Sequence, residues 1–250
     1  MNPSPYPAPF TSAHVRASVV KILLIVGAVA AGMSLLTEAL TLAFPPLTDD
    51  QELGENIMGA ALVFITLLVA ILEFIVYLTT VVFFLMWLYR AYNNLRAFDP
   101  NRALDSSAGW AVGSFFVPFV NLIVPYRAVK EVWQKSGPPN EAFLSEPSPP
   151  AYFPIWWLFW LLSSFAGNIS RRVSFNENVP ESTATIISMV AAALSIVAAL
   201  FAYLVVDAID KRQEETSRKL NLGKFSAPPP ALADLPNQSA VFANSGVREP

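Results

Sequence analysis

The stretch from Ile57 to Leu88 constrains this chain most: 32 residues interrupted only by Glu73 and small polar groups. As an α-helix it would be about 48 Å long, against roughly 30 Å for the hydrocarbon core of a bilayer. It therefore predicts a helix that crosses a membrane and either tilts or protrudes. Protrusion is the better reading, because Trp87, Tyr89 and Tyr92 form an aromatic belt and Arg90 and Arg96 can snorkel to headgroups. Pro100 sets the end of the helix, since the residue before a proline disfavours helical backbone.

Composition agrees. Charged residues make up 14% of the chain and hydrophobic ones 54%, whereas about 25% of a soluble domain is charged. The net charge of -3 argues against a nucleic-acid partner, which favours a basic face. With no cysteine and one histidine, His14, disulfides, thiolate chemistry and most metal and triad arrangements drop out. There is no glycine-rich phosphate loop. The expectation is a protein without catalytic residues, metal or cofactor.

Three further spans follow from the same logic. Ile22–Phe44 is an apolar run of 23 residues closed by Pro45-Pro46, too long for a signal peptide and read as an uncleaved anchor. Its Gly27, Ala28, Ala31 and Gly32 are either a close-packing face or the ordinary composition of a membrane helix. Tyr152–Ile169 is short and aromatic, with Pro154 in its first turn and Gly167-Asn168 as its stop. Ala184–Val206 carries no charge, and Ala184, Ser188, Ala192, Ser195, Ala199 and Ala202 form a small-residue packing stripe. Flanking these, residues 1–17 read as a proline-rich disordered leader, 18–220 as the polytopic membrane domain and 221–250 as a flexible tail.

Gly109–Tyr126 has the apolar content to enter a bilayer, but Pro118, Asn121 and Pro125 interrupt it. Prolines leave carbonyls unpaired, which lipid does not tolerate unless protein surrounds them. The segment is read as re-entrant or broken. After it, Tyr126, Val129, Val132 and Trp133 share one helical face flanked by Arg127, Lys130 and Lys135, the pattern of a short amphipathic helix at 127–135 lying on the membrane surface. With this topology only Arg171 and Arg172, of 16 Lys and Arg, face the far side. The positive-inside rule then makes both termini cytoplasmic.

Glu73 is an ionisable group in mid-span, where an acid is costly and usually has a partner. It is either a proton or cation site or a protonated acid bonded to a neighbouring helix, with Asn121, Ser163 and Ser195 as candidate partners. Glu38 is the second such acid, nearer its helix end. Asn93 and Asn94 are placed to cap the backbone freed by Pro118 and Pro125.

The central motif has a family likeness. Trp-Leu-Tyr-Arg-Ala-Tyr-Asn-Asn-Leu-Arg at 87–96, with Trp87, Arg90, Asn93 and Asn94, is followed by Gly109-Trp110-Ala111-Val112-Gly113. Phe-Val-Pro-Phe-Val-Asn-Leu at 116–122 comes next, with Pro118 and Asn121, and then Pro125-Tyr126-Arg127 and Glu131-Val132-Trp133. Over roughly Ile22 to Val206 the chain resembles the bacterial membrane family catalogued as domain of unknown function 4328. The resemblance implies a polytopic bacterial membrane protein and no particular activity. The sequence reading is thus an all-α protein of four transmembrane helices in the bacterial inner membrane. It is expected to be an interaction or regulatory module whose partners are the lipid bilayer and a membrane protein or a second copy. The alternative is a proton-, ion- or solute-conducting component built on Glu73 and the Pro118–Pro125 segment.

Overall fold

A computed structural model describes residues 9–43, 57–138, 147–176 and 178–222. Among them every regular element is helical: α1 (His14–Ala43), α2 (Ile57–Phe98), α3 (Ala108–Gly113), α4 (Val124–Lys135), α5 (Tyr152–Ser174) and α6 (Glu181–Lys219). Two 3-10 turns, Ser114–Phe116 and Val120–Leu122, separate α3 from α4. Helices α1, α2 and α6 are long and apolar enough to cross a membrane. Helix α5, with 23 residues, is rich in tryptophan and carries Asn168, Arg171 and Arg172 near its end, and it does not reach the same apolar content.

Helix α1 lies between α2 and α6, and α5 packs along α6. The buried core gathers at one end of this bundle. Ala13, Ala17 and Val20 from the start of α1 meet Trp87, Leu88, Ala91, Tyr92 and Leu95 from the end of α2. Phe153, Trp156 and Trp157 from the start of α5 and Ala202, Val205, Val206 and Ile209 from the later half of α6 complete it, with Val129 and Val132 of α4. So α2 and α6 run into this head end, and α1 and α5 run out of it. The chain between α2 and α5 leaves and returns on the same side, and Phe10 and Leu222 also pack there. Away from the head the helices present apolar surface outward, as at Val29, Leu67, Phe74 and Val190.

Lengths explain the head. Helix α2 has 42 residues and α6 has 39, or about 60 Å each, roughly twice a hydrocarbon core. The surplus of each projects, and the short helices fill the space between the projections. Helix α2 stops at Phe98, two residues before Pro100, as expected.

Several local expectations change. Helix α5 continues through Gly167-Asn168 to Ser174, because Asn168 donates to the Ser164 carbonyl at 2.8 Å and accepts from Arg171 at 2.9 Å. The leader does not extend to residue 17: Phe10 packs on Phe98 at 5.5 Å and helix begins at His14. Of the aromatic belt only Tyr89 faces outward, Trp87 and Tyr92 being fully buried. Gly27 faces Val76 of α2, with room for a Cβ 3.7 Å from its nearest atom, while Gly32 faces open space. Residues 1–8 of the leader, 139–146 of the linker and 223–250 of the tail lie outside the described residues.

Candidate functional site

The head is built around charged and polar side chains that water does not reach. Glu131 and Lys135, one turn apart on α4, are 4% and 7% exposed and pair at 2.7 Å. The Glu131 carboxylate accepts three hydrogen bonds: from Tyr92 OH at 2.5 Å, from the Asp105 amide at 2.7 Å and from Lys135. Tyr92 OH in turn accepts from the Ser106 amide at 3.1 Å. Lys135 Nζ also donates to the Ala103 carbonyl at 2.8 Å and reaches Asp105 at 3.4 Å. Burial works against the charged ammonium, but the bonds and attraction to Glu131 and Asp105 outweigh it and hold the Lys135 pKa above its ordinary value. The network therefore clamps the 99–107 connection onto α2 and α4.

A second buried chain ties the remaining elements. Gln213 of α6 donates to the Ala91 carbonyl at 2.8 Å and to Ser136 Oγ at 3.0 Å, and its oxygen accepts from Asn94 at 3.2 Å. Asn94 Oδ1 takes the Thr11 amide at 3.3 Å. Asn94 therefore anchors the N-terminal segment and α6, and not the proline-broken backbone. Asn93 is half-buried beside it. Arg102 closes α4 by donating to the Lys135 carbonyl at 2.7 Å, as cations at helix C-termini do.

Helices α1 and α6 meet across an ionic seam. His14 Nδ1 lies 2.9 Å from Asp210, and Lys21 lies 3.0 Å from Asp207 and 3.5 Å from Asp210, with Lys211 on Asp207 at 2.6 Å. Ser12 donates to Glu214 and accepts the His14 backbone amide.

The 109–126 segment is a folded-back excursion. Ser107 caps α3 by accepting the Trp110 amide at 3.1 Å. After Pro118 the chain turns at Phe119, whose φ of 63° is a left-handed value rare for a bulky residue. Asn121 lies in the following 3-10 turn, where its amide bonds the Val117 carbonyl at 3.0 Å. Trp157 Nε1 donates to the Leu122 carbonyl at 2.9 Å, the role expected of Asn93 and Asn94. The Phe115 ring sits 6.0 Å from Phe84, 6.4 Å from Trp157 and 6.5 Å from Trp160. Trp110, Phe116, Phe119 and Ile123 form an exposed apolar knuckle. Pro125 opens α4 in its first turn, where a missing amide costs nothing.

Helix α4 does not present its apolar face to lipid. Pro125, Ala128, Val129, Glu131, Val132 and Lys135 are all buried against the head, while Tyr126 is half-buried and Trp133 packs on Phe153 and under the Arg212 guanidinium at 4.7 Å. Lys135, expected among the membrane-surface cations, is therefore internal; Arg127 is exposed and Lys130 half-buried. The intramembrane acids sit elsewhere. Glu73 accepts from Ser34 of α1 at 2.6 Å and Glu38 from Ser188 of α6 at 2.6 Å. Neither Ser163 nor Ser195 serves Glu73; each donates to a carbonyl of its own helix.

Of the motif residues, the fold brings Trp87, Asn94, Gly109, Pro125, Tyr126 and Trp133 to the head and leaves Trp110 and Pro118 facing outward. Tyr92, Glu131 and Gln213 were not singled out as site residues. One signal existed for Glu131: Glu131 and Lys135 are an i,i+4 pair, and Lys135 follows Ala128 and Val132 along the helix's apolar stripe. Among the described residues no cluster of His, Asp and Glu is disposed to hold a metal.

Three helices able to span a bilayer and a polar head at one end mark this chain as an integral membrane protein. It belongs to the family described as Domain of unknown function (DUF4328), which matches residues 50–211. That match begins after α1, which the resemblance had partly included, and reaches Lys211 in α6. No curated protein and no solved structure matches the chain.

Proposed function

We propose that this chain is a non-enzymatic protein of the bacterial inner membrane that serves as an interaction or regulatory module through its head. The observation carrying this reading is the buried polar network. Every polar atom of Glu131 and Tyr92 is engaged by protein, so they act as braces for a rigid surface and have no free atom for a substrate. Crosslinking in intact membranes from the exposed Arg96 and Arg127 tests it. A discrete crosslinked species that survives mild detergent is expected; a strictly monomeric protein under several conditions counts against it.

In this reading α5 is the fourth span and the 114–123 knuckle is re-entrant. Supporting this, α5 leaves the head and α6 returns to it. Phe115 meets Trp160, about 12 Å along α5 from Tyr152, so the knuckle reaches well below the helix end. The head collects the basic residues and Arg171 and Arg172 stand at the opposite end, which favours a cytoplasmic head. A chain without cysteine suits a labelling test. A thiol at Asn176 should react with an impermeant maleimide from outside, and one at Asp105 only after permeabilisation; the reverse pattern inverts the topology.

A second reading, conduction of protons or cations, draws on one observation: two acids lie within the spans, Glu73 bonded to Ser34 of α1 and Glu38 to Ser188 of α6. Glu38 also borders a cleft of about 600 Å³ with Ser174, Asn176, Glu181 and Ser188 at the end away from the head. The broken segment lies apart from these acids, since Glu73 and Phe84 are eleven residues, about 16 Å, apart on α2. Proton flux in proteoliposomes that Glu73→Gln abolishes would move this reading to first place.

A further inference from the structure

We infer that the seam between α1 and α2 at the head end binds an anionic phospholipid, its phosphate held between Arg16 and Arg90. Arg16 Nη1 donates to the Met86 carbonyl at 3.2 Å. Within the unbroken helix α2 that oxygen also receives the Arg90 amide. A helical side chain covers the turn preceding its own Cα, so the Arg90 side chain lies over the turn that Arg16 touches. Two permanently charged guanidinium groups therefore share one small patch.

Among the described residues neither arginine pairs with a carboxylate, and the head's acids are already committed. Asp207 and Asp210 serve Lys21, Lys211 and His14, Asp99 serves Arg102, and Glu131 serves Lys135. Both arginines are partly buried, which reduces screening by water and leaves their repulsion to be relieved by an external anion. Two guanidinium forks suit phosphate oxygens, which they bind bidentately.

The apolar surroundings select a lipid over a free anion. Val82, Met86 and Arg90 stand at successive steps of four on one stripe of α2, with Val82 53% and Met86 43% exposed. Ile22 is exposed on α1, further from the head than Arg16. An acyl chain lying along that stripe puts its headgroup at the arginine pair, where the helices emerge. This inference is independent of whether the head binds a partner or the spans conduct.

Native mass spectrometry and thermal melting of the full chain in mild detergent test it, with added phosphatidylglycerol, phosphatidylcholine or inorganic phosphate. The natural protein should retain phosphatidylglycerol about thirtyfold more strongly than phosphatidylcholine, the preference corresponding to two arginines at a lipid surface. Arg90→Gln, which breaks no hydrogen bond or ion pair among the described residues, should lower that preference about fivefold, and Arg16→Gln/Arg90→Gln should abolish it. Arg96→Gln/Arg127→Gln, removing two exposed cations elsewhere on the head that pair with no carboxylate among the described residues, should leave it intact. Equal retention of both lipids, or a preference unchanged in Arg90→Gln, overturns the inference. So does loss of the preference in the Arg96 and Arg127 variant, which would make it a general surface-charge effect. Stabilisation by inorganic phosphate equal to that by phosphatidylglycerol would assign the patch to a free anion and also overturn it.

Discussion

The head and the outer halves of the spans solve opposite problems with the same long helices. In the head, helices that have left the apolar run bury polar groups, and several of these find partners in distant parts of the chain. Asn94 and Gln213, for example, are 119 residues apart. In the outer halves many side chains face outward, and among the described residues polar contact between helices rests on two serine-to-carboxylate bonds, Ser34 to Glu73 and Ser188 to Glu38. One region is solvated by protein and the other by lipid. The lesson is that stability should be sensitive to polar substitutions in the head and tolerant of them in the spans.

The largest effect should come from Glu131→Ala. It leaves the Lys135 ammonium, the Tyr92 hydroxyl and the Asp105 amide without their shared acceptor. Breaking a buried pair by removing one partner costs about 3–5 kcal/mol, which for a chain of this size lowers the melting temperature by roughly 6–20 °C. A loss below about 1 kcal/mol would mean that water fills the site and that the head is not dry. The same pair sets a pH dependence. Because the Lys135 pKa is raised above 10.5 in the folded chain, its stabilisation is complete below that pH and is lost as pH climbs through the folded value. Melting curves above pH 10.5 should fall more steeply for the natural protein than for Lys135→Met, which has no proton to lose there.

Gln213→Ala comes next. It strands the Asn94 amide and removes a donor from the Ala91 carbonyl, for an expected loss of about 2–3 kcal/mol. The loss should appear together with faster amide exchange at Thr11, whose hydrogen bond to Asn94 depends on the same chain. If Thr11 exchange is unchanged, the N-terminal segment is held by Phe10 packing on Phe98 instead.

These two sites also show what the amino-acid order makes legible. Hydropathy reads out α1, α2 and α6 because lipid-facing helices need only local apolar content, and Pro100 and Pro118 mark real breaks because proline acts within a residue or two. The head was misread where the deciding contact is remote. Lys135 looked like a surface cation because its neighbours Gln134 and Lys130 are polar, yet it points along the stripe of Ala128 and Val132 towards Ala103 and Glu131. Asn94 looked like a cap for the nearest broken backbone, but Trp157, 35 residues beyond Leu122, takes that place. For Glu73 the candidate partners were Asn121, Ser163 and Ser195, whereas the hydroxyl that bonds it, Ser34, lies on α1.

Trp157→Phe should have a smaller effect. It keeps most of the ring that stacks on Trp160 at 4.6 Å and removes the bond to the Leu122 carbonyl, for about 1 kcal/mol. The stronger readout is local: proteolysis at the Phe119–Ile123 turn in detergent should rise while the melting temperature moves by only about 2–4 °C.

Glu73→Gln should have the least effect on stability, and it is the sharpest test of the contrast. The Ser34 hydroxyl donates to Glu73 Oε1 at 2.6 Å, and a glutamine offers an acceptor oxygen at the same place. The substitution also removes an ionisable group from mid-span, where a charge is costly. The melting temperature should therefore stay within about 2 °C of the natural protein or rise, corresponding to under 1 kcal/mol. Ser34→Ala should cost more, because it takes the donor away and leaves the acid without a partner. A drop in Glu73→Gln as large as that in Glu131→Ala would mean that Glu73 holds the spans together as Glu131 holds the head. The outer halves would then be a second protein-solvated region, and the division between the two ends would be lost.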